Sequence, residues 1–328
     1  MTLKEVAKLA NVSASAVSRY LNGGSLSEEK KNAIRAVIEQ TGFRPNPLAH
    51  TLRTGRVQQV GVIVPRIQST AVSHVTEGIN CILAPEGYLL VICSAGGDAL
   101  QEARYLEMMQ SYRMAGVIVM ATSVTEEKQA LYRACRIPLV VTGQRFDGLD
   151  CVWHDDFGAM RALTARMIAG GRRRIGYIGV SESDPAVGTQ RRLGAQAAVR
   201  EAGLDAEDML LETAEFRMDS GREAMLRMLG RAQAPDGVVC ATDVIAHGAM
   251  LALREAGLRI PQDVGVAGVG GDRADLISSP QLSVAQLYQA DCGRTAAQLL
   301  LQRLKPGTQP GSARQMCLGY TIIERESF

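Results

Sequence analysis

TLKEVAKLANVSASAVSRYLNGG, Thr2 to Gly24, opens the chain with two short helical patterns on either side of a break. Thr2 followed three residues later by Glu5 is a capping-box signature for a helix start. Val6, Leu9 and Ala10 then fall on one expected face. Asn11, Val12 and Ser13 interrupt the run, and Ser13 is placed to cap a second helix over Ala14 to Leu21. On that helix the spacing turns Val17 and Leu21 inward. Ser15, Ser18, Arg19 and Asn22 are left outward, all able to hydrogen-bond bases or phosphates.

Working outward, SLSEEKKNAIRAVIEQTG (Ser25 to Gly42) predicts a third helix. Ser27 is its N-cap, Glu28 and Glu29 lie in the first turn, and Ala33, Ile34, Val37 and Ile38 recur at helical spacing. Gly42 closes it, and Phe43 can fold back onto the bundle. Three helices in so short a stretch make a small core of marginal independent stability. Charge points the same way. Net charge is +2, but up to Gln58 there are nine Lys/Arg and four Asp/Glu, or +5, which leaves −3 for the rest. A basic head on a slightly acidic body is the footprint of a nucleic-acid-binding module.

RPNPLAHTLRTGRVQQ (Arg44 to Gln59) follows. Asn46 can cap, Pro47 suits the first helical position and Gly55 suits the stop, which predicts about two helical turns. A helix that short needs something packed against it, such as a symmetric partner helix or DNA. Leu52, between His50 and Arg53, is then a candidate apolar wedge for a minor groove.

From Val57 the pattern changes. VGVIVP (Val60–Pro65), YLLVIC (Tyr88–Cys93), GVIVMA (Gly116–Ala121) and PLVVTG (Pro138–Gly143) read as buried strands alternating with helical stretches. The cycle resumes with RIGYIGV (Arg174–Val180), DGVVCAT (Asp236–Thr242) and VGVAGVG (Val264–Gly270). Short, doubly buried runs with helical crossovers mean parallel sheets covered on both faces. Two series predict two doubly wound lobes, with ligands bound beyond the carboxyl ends of the strands where the lobes face each other. The expected domains are a headpiece over 1–45 and a hinge helix and linker over 46–58. The N-terminal lobe spans 59–155 with about 288–315, and the C-terminal lobe spans 156–287 with about 316–328.

With 46% apolar and 21% charged residues, a chain of 328 residues fills sizeable cores. No apolar run predicts a membrane span and no signal peptide is read at the N-terminus. The seven cysteines are scattered without a CxxC pair and the four histidines are dispersed, so the expectation is a reduced, cytoplasmic protein with neither metal nor cofactor.

Headpiece, short hinge helix and two parallel-sheet lobes, in that order, resemble the lactose-repressor (LacI/GalR) family over essentially the full length. The motifs that carry the resemblance are TLKEVAKLANVSASAVSRYLNG, FRPNPLAHTLRTGRVQQVGVIVP, RRRIGYIG, DGVVCATDVIAHGAM, and IPQDVGVAGVG leading to SPQLSVAQ. The resemblance implies a homodimeric repressor of a sugar-utilisation operon. Such a protein binds operator DNA and is released from it by a small sugar or sugar phosphate. It places Ala14 and Ser15 where operator bases are chosen, matches Arg19 and Asn22 to DNA contacts, and matches Leu52 to the hinge leucine that intercalates. Ala14 is smaller than the residue often found there and offers only methyl contact. No leucine-heptad tail precedes the end at Phe328, so nothing supports a tetramer built through one.

For the effector the same resemblance points to Arg66, Gln68 and Ser73 after the first strand, and to Gln144 and Arg145 after PLVVTG. Arg191 matches the arginine that grips sugar hydroxyls, Phe216 an aromatic that stacks on the sugar ring, and Asp243 and Gln286 complete the set. Gly270 and Gly271 stand where many relatives carry an Asp. With ATDVIAHGA and YIGVSESDPAVGTQRR, this looks most like trehalose-operon repressors, with trehalose 6-phosphate or another disaccharide as the leading effector and sucrose-type repressors close by. A chain without an acid at Gly270 tolerates an anionic ligand.

Two other regulatory or binding readings stay open: a corepressor-dependent regulator of the same family, and a sugar-binding protein without a DNA role. Catalysis has little support. Asp155 and Asp156 are adjacent, so their side chains diverge rather than form an acid/base pair. GxSxG, HExxH and GxxxxGK[ST] are absent, and GGRRRIGYIG has its glycines in the wrong order for a dinucleotide fingerprint.

Overall fold

In the computed structural model, residues 1–21, 24–43, 57–305, 307 and 311–328 are described. The expected hinge helix, with His50, Leu52 and Arg53, lies outside them, as does Asn22. The chain divides into two units, Met1–Gln58 and Gln59–Phe328.

The first unit is built from α1 (Leu3–Leu9), α2 (Ala14–Leu21) and α3 (Glu28–Thr41). Its capping box is complete: Thr2 N donates to Glu5 Oε2 at 2.7 Å and Glu5 N to Thr2 Oγ1 at 3.3 Å. Asn11 makes the break in the left-handed region at φ 50°, a conformation asparagine tolerates better than most residues. Gly42, at φ 61°, ends α3. Val6, Ala7, Ala10, Val17, Ile34 and Phe43 form the core. One expected core position is corrected. Leu9 is 61% exposed and Ala7 is buried in its stead. The buried stripe therefore runs through positions 6, 7 and 10, where a small side chain lets the helices approach.

The second unit holds two six-stranded sheets. The first has the order β11-β5-β4-β3-β1-β2, from β1 (Val57–Val64), β2 (Leu89–Ser94), β3 (Met114–Met120), β4 (Leu139–Thr142), β5 (Asp150–His154) and β11 (Gln315–Leu318). The second has the order β12-β10-β9-β8-β6-β7, from β6 (Ile175–Gly179), β7 (Leu210–Thr213), β8 (Gly237–Cys240), β9 (Gly265–Gly270), β10 (Ser283–Leu287) and β12 (Tyr320–Ile323). The pairs β1–β2, β3–β4, β4–β5, β5–β11, β6–β7, β6–β8, β8–β9 and β9–β10 are parallel, and β10–β12 is antiparallel. This is the doubly wound arrangement that the apolar runs predict. The chain passes between the sheets after β5, after β10 and at Gly319. That third passage comes a few residues beyond the expected boundary near 315, because Gln315–Leu318 pairs with Cys151–His154 as the edge of the first sheet.

Helices cover both faces. α4 (Thr70–Leu83) and α12 (Gln289–Leu304) pack together over one face of the first sheet, burying Val60, Val62, Ile118, Val140 and Val152. α5 (Ala99–Ser111) and α6 (Glu126–Arg133) cover the other, against Val117, Val119 and Val141. Over the second sheet lie α7 (Asp156–Ala169), α8 (Arg191–Glu201), α9 (Met218–Leu229), α10 (Asp243–Glu255) and the short α11 (Ala274–Ile277). A six-residue π-helical segment, Pro185–Gln190, leads directly into α8. Among the described residues no helix is long and apolar enough to cross a membrane.

Candidate DNA-reading helix and ligand cleft

In the headpiece, Ser13 does what its position before α2 predicts. Its Oγ accepts from Ala16 N at 3.2 Å and lies 2.8 Å from Ser15 Oγ. Burial of Ala16 and Val17 fixes the rotation of α2. Ser15 and Arg19, four residues apart and hence on one face, are left exposed, while Ala14 and Ser18 are half-buried. Arg19 has no carboxylate within ion-pair distance among the described residues. An unpaired cation on an exposed face, here in the last turn of α2, suits a phosphate. By contrast Lys31 is held by Glu28 at 2.7 Å.

In the second unit the candidate ligand residues sit at the carboxyl ends of strands, the place that open α/β sheets use for ligands. Arg66 follows β1, Gln144 follows β4, Asp243 follows β8, and Gln286 lies near the end of β10. Arg191 is buried at the start of α8. Its Nε donates to Asp156 Oδ1 at 2.7 Å and its Nη2 lies 2.6 Å from the same oxygen. Its Nη1 donates to the carbonyl of Ala241, just beyond β8. Three strand-end segments are tied to one guanidinium in this way.

Two candidate ligand residues make contacts that cross between the lobes. Gln144 Nε2 donates to Asp184 Oδ1 at 2.7 Å, and the Arg66 guanidinium lies 4.1 Å from the centre of the Phe216 ring. That stacking is a cation–π contact. No carboxylate pairs with Arg66 among the described residues. Burial pulls Arg66 below its usual range, opposed by the charge of Asp184. Asp184 caps the π-helical segment, accepting from Val187 N at 3.1 Å, and burial pushes its carboxyl upward.

Two glycines, Gly270 and Gly271, stand at the carboxyl end of β9. A Cβ added to Gly270 would overlap the Asp243 carboxylate, and one added to Gly271, at φ +105°, would meet Gln286 Cγ at 2.6 Å. Asp243 and Gln286 therefore flank one pair of glycines. Val244 N donates to Asp243 Oδ1 at 2.7 Å. Burial, then the charge of Asp275, pushes the Asp243 carboxyl up to about 6.

Of the expected effector residues, the structure brings Gln144 to Asp184, Arg66 to Phe216, and Asp243 and Gln286 to the two glycines. Arg145 is exposed and faces Asp147 at 3.6 Å, while Gln68 and Ser73 are exposed after β1 and in the first turn of α4. Asp155 and Asp156 diverge as expected, Asp155 capping α7 through Gly158 N at 2.8 Å and Asp156 holding Arg191. Asp156 and Asp184 contact the candidate residues Arg191 and Gln144, a role that the sequence reading does not assign them. For Asp184 a signal existed, since an Asp before Pro at a helix start is a cap pattern.

A profile described as "Bacterial regulatory proteins, lacI family" matches residues 2–46, and one described as "Periplasmic binding protein-like domain" matches residues 164–328. The HTH-type transcriptional repressor PurR of Pectobacterium carotovorum subsp. carotovorum (strain PC1) is 30% identical over 332 residues, covering 99% of this chain and 96% of that protein. The chain belongs to the lacI family of bacterial regulatory proteins. Its relatives include the HTH-type transcriptional regulator RegA of Clostridium saccharobutylicum, 30% identical with 99% of this chain and 98% of that protein covered. A solved complex of the transcriptional regulator CelR with cellobiose is similar at a TM-score of 0.76 and 25% identity, with both chains covered fully. As a member of this family the chain is a DNA-binding transcriptional repressor with a ligand-binding body, not an enzyme.

Proposed function

We propose that the chain is a homodimeric repressor of a sugar-utilisation operon, released from its operator by a sugar or sugar phosphate bound between the lobes. Trehalose 6-phosphate or another disaccharide is the leading effector. The observation that carries this reading is the Arg66 guanidinium, stacked on Phe216 at the mouth of β1 and without a carboxylate partner among the described residues. An aromatic face suits a sugar ring, and an unpaired guanidinium suits a phosphate. Likeness of the cleft motifs to trehalose-operon repressors, and a relative solved with cellobiose, support a disaccharide.

Two headpieces read a pseudo-palindrome, with Ala14 and Ser15 facing bases and Ser18, Arg19 and Asn22 completing the contacts in the major groove. Paired hinge segments insert Leu52 at the operator centre, with His50 and Arg53 against the adjacent backbone. Ligand in the cleft loosens that pairing, and a coupling of about 1–3 kcal/mol corresponds to roughly 5- to 150-fold in DNA affinity.

The test is a gel shift on sites selected by the protein from random DNA, titrated with trehalose 6-phosphate, trehalose, sucrose and cellobiose. Release by one of them is expected. Tightening of the complex by the same ligand makes it a corepressor, and indifference to all of them overturns the disaccharide reading.

A further inference from the structure

Behind the cleft floor lies a polar cluster that none of the contacts above explains. Asp275, on α11, is completely buried. His247 Nε2 lies 3.0 Å from its Oδ1, while Oδ2 has no hydrogen-bond partner. A buried carboxylate oxygen without a partner is expensive. His247 stands one turn beyond Asp243 on α10, so it is on the same helix face. Asp243 fills the space that a side chain on Gly270 would occupy, which puts its carboxyl at the ends of β8 and β9, where a ligand is expected.

We propose that Asp275 and His247 are positioning residues for Asp243: from behind the cleft they set whether its carboxyl meets a ligand as a donating acid or as an accepting carboxylate, and so tie effector affinity to pH. The proposal rests on the reading of Asp243 as a cleft residue. The charges that face Asp243 come from three places. Asp275 on α11 and Asp272 in the turn after β9 raise its carboxyl, and His247 on its own helix lowers it, as does the Val244 amide. The two positioning residues thus act with opposite sign. A hydroxyl placed against Asp243 is bound best when the carboxyl is ionised. An ether or phosphate oxygen placed there is bound best when the carboxyl carries its proton.

The decisive experiment is a carbon-13 titration of aspartate carboxyls in the full-length protein, with Asp243 assigned by its loss in Asp243→Asn. The Asp243 midpoint is expected near 6. Asp275→Asn should move it down by about one unit, the size typical of a neighbouring like charge. His247→Gln should move it up. An Asp243 midpoint unmoved by Asp275→Asn, or moved in the same direction by both variants, overturns the proposal. If Asp275→Asn does not fold, His247→Gln decides by its sign alone.

A calorimetric arm uses trehalose 6-phosphate and trehalose as probes in wild type and Asp243→Asn. Affinity that follows the Asp243 midpoint in wild type and is flat in the variant supports the coupling; a probe that binds wild type with no pH dependence overturns it. If neither probe binds, the choice of sugar under the proposed function fails, and the carboxyl titration still decides the positioning role.

Discussion

Replacing Arg191 with alanine removes the one cation that holds Asp156, the Ala241 carbonyl and the start of α8 together. Both partners of the pair are buried, at 6% and 7% side-chain exposure, and separated by 2.6 Å. Surface screening therefore does not reduce the effect. Breaking a buried pair by deleting one partner leaves the other charge stranded and costs about 3–5 kcal/mol. For a unit of this size that corresponds to a fall in Tm of about 6–20 °C, taking roughly 2–4 °C per kcal/mol. The assay is thermal unfolding of the full-length protein for Arg191→Ala, Asp156→Ala and the double variant. Arg191→Ala should cost more than the double variant, because the double variant leaves no unpaired carboxylate. A single variant within about 1 kcal/mol of wild type, the size of an ordinary surface pair, would refute the argument. So would additive losses in the double variant, because contacting groups are expected to couple. Loss of the effector response in Arg191→Ala must then be read only at temperatures where the variant is folded.

Leu52→Ala is expected to lower affinity for a selected operator and leave binding to random DNA nearly unchanged; equal losses in the two gel shifts would exclude a wedge. Arg19→Ala should reduce the slope of log affinity against log salt by about one unit, and an unchanged slope would mean that this side chain does not neutralise a phosphate. Asp243, raised from 3.8 to about 6, stabilises the fold only while protonated. Its contribution, about 3 kcal/mol for two units, is complete below pH 3.8 and lost as pH rises through about 6. Asp243→Asn should flatten that part of the stability profile, and a profile of the same shape in wild type and variant would disprove it. Gly270→Ala drives a methyl into the Asp243 carboxylate; a loss of about 1–3 kcal/mol is expected from overpacking, and calorimetry showing none would mean that the carboxylate swings away freely.

How much of this was legible in the sequence depended on whether the signal was local. Val60–Val64, Gly116–Met120 and Gly237–Cys240 announce themselves as uninterrupted apolar runs because both faces of those strands are covered. Asp150–His154 and Leu210–Thr213 carry charged residues, and Gln315–Leu318 and Tyr320–Ile323 are short edge strands separated by a single glycine, so no run marks them. The phase of Leu9 on a seven-residue helix is ambiguous, and hydrophobicity alone ranks a leucine above Ala7, which is the residue buried. Arg191, Gln144 and Asp243 are legible as candidates through motif resemblance. The contacts of Asp156, Asp184, Asp275 and His247 are not legible, since each has its partner 28 to 40 residues away.

Those distant partners explain how a cleft of this design can report occupancy. Gln144 reaches from the first sheet to Asp184, which caps the segment that delivers Arg191 to Asp156, the residue that begins α7 after the chain leaves the first sheet. Under the proposed function, a ligand that competes for Gln144 or Arg191 would have to alter a bond that spans the lobes or one at their covalent crossing. Because each of these bonds is buried and charge-assisted or fully partnered, partial loosening is costly, and the pair of lobes is driven toward one arrangement or another rather than a continuum. Differential binding to those arrangements is the only currency through which a small molecule can shift them. Under the proposed function Gln144→Ala, by removing one cross-lobe bond, is expected to change effector affinity without touching any headpiece contact.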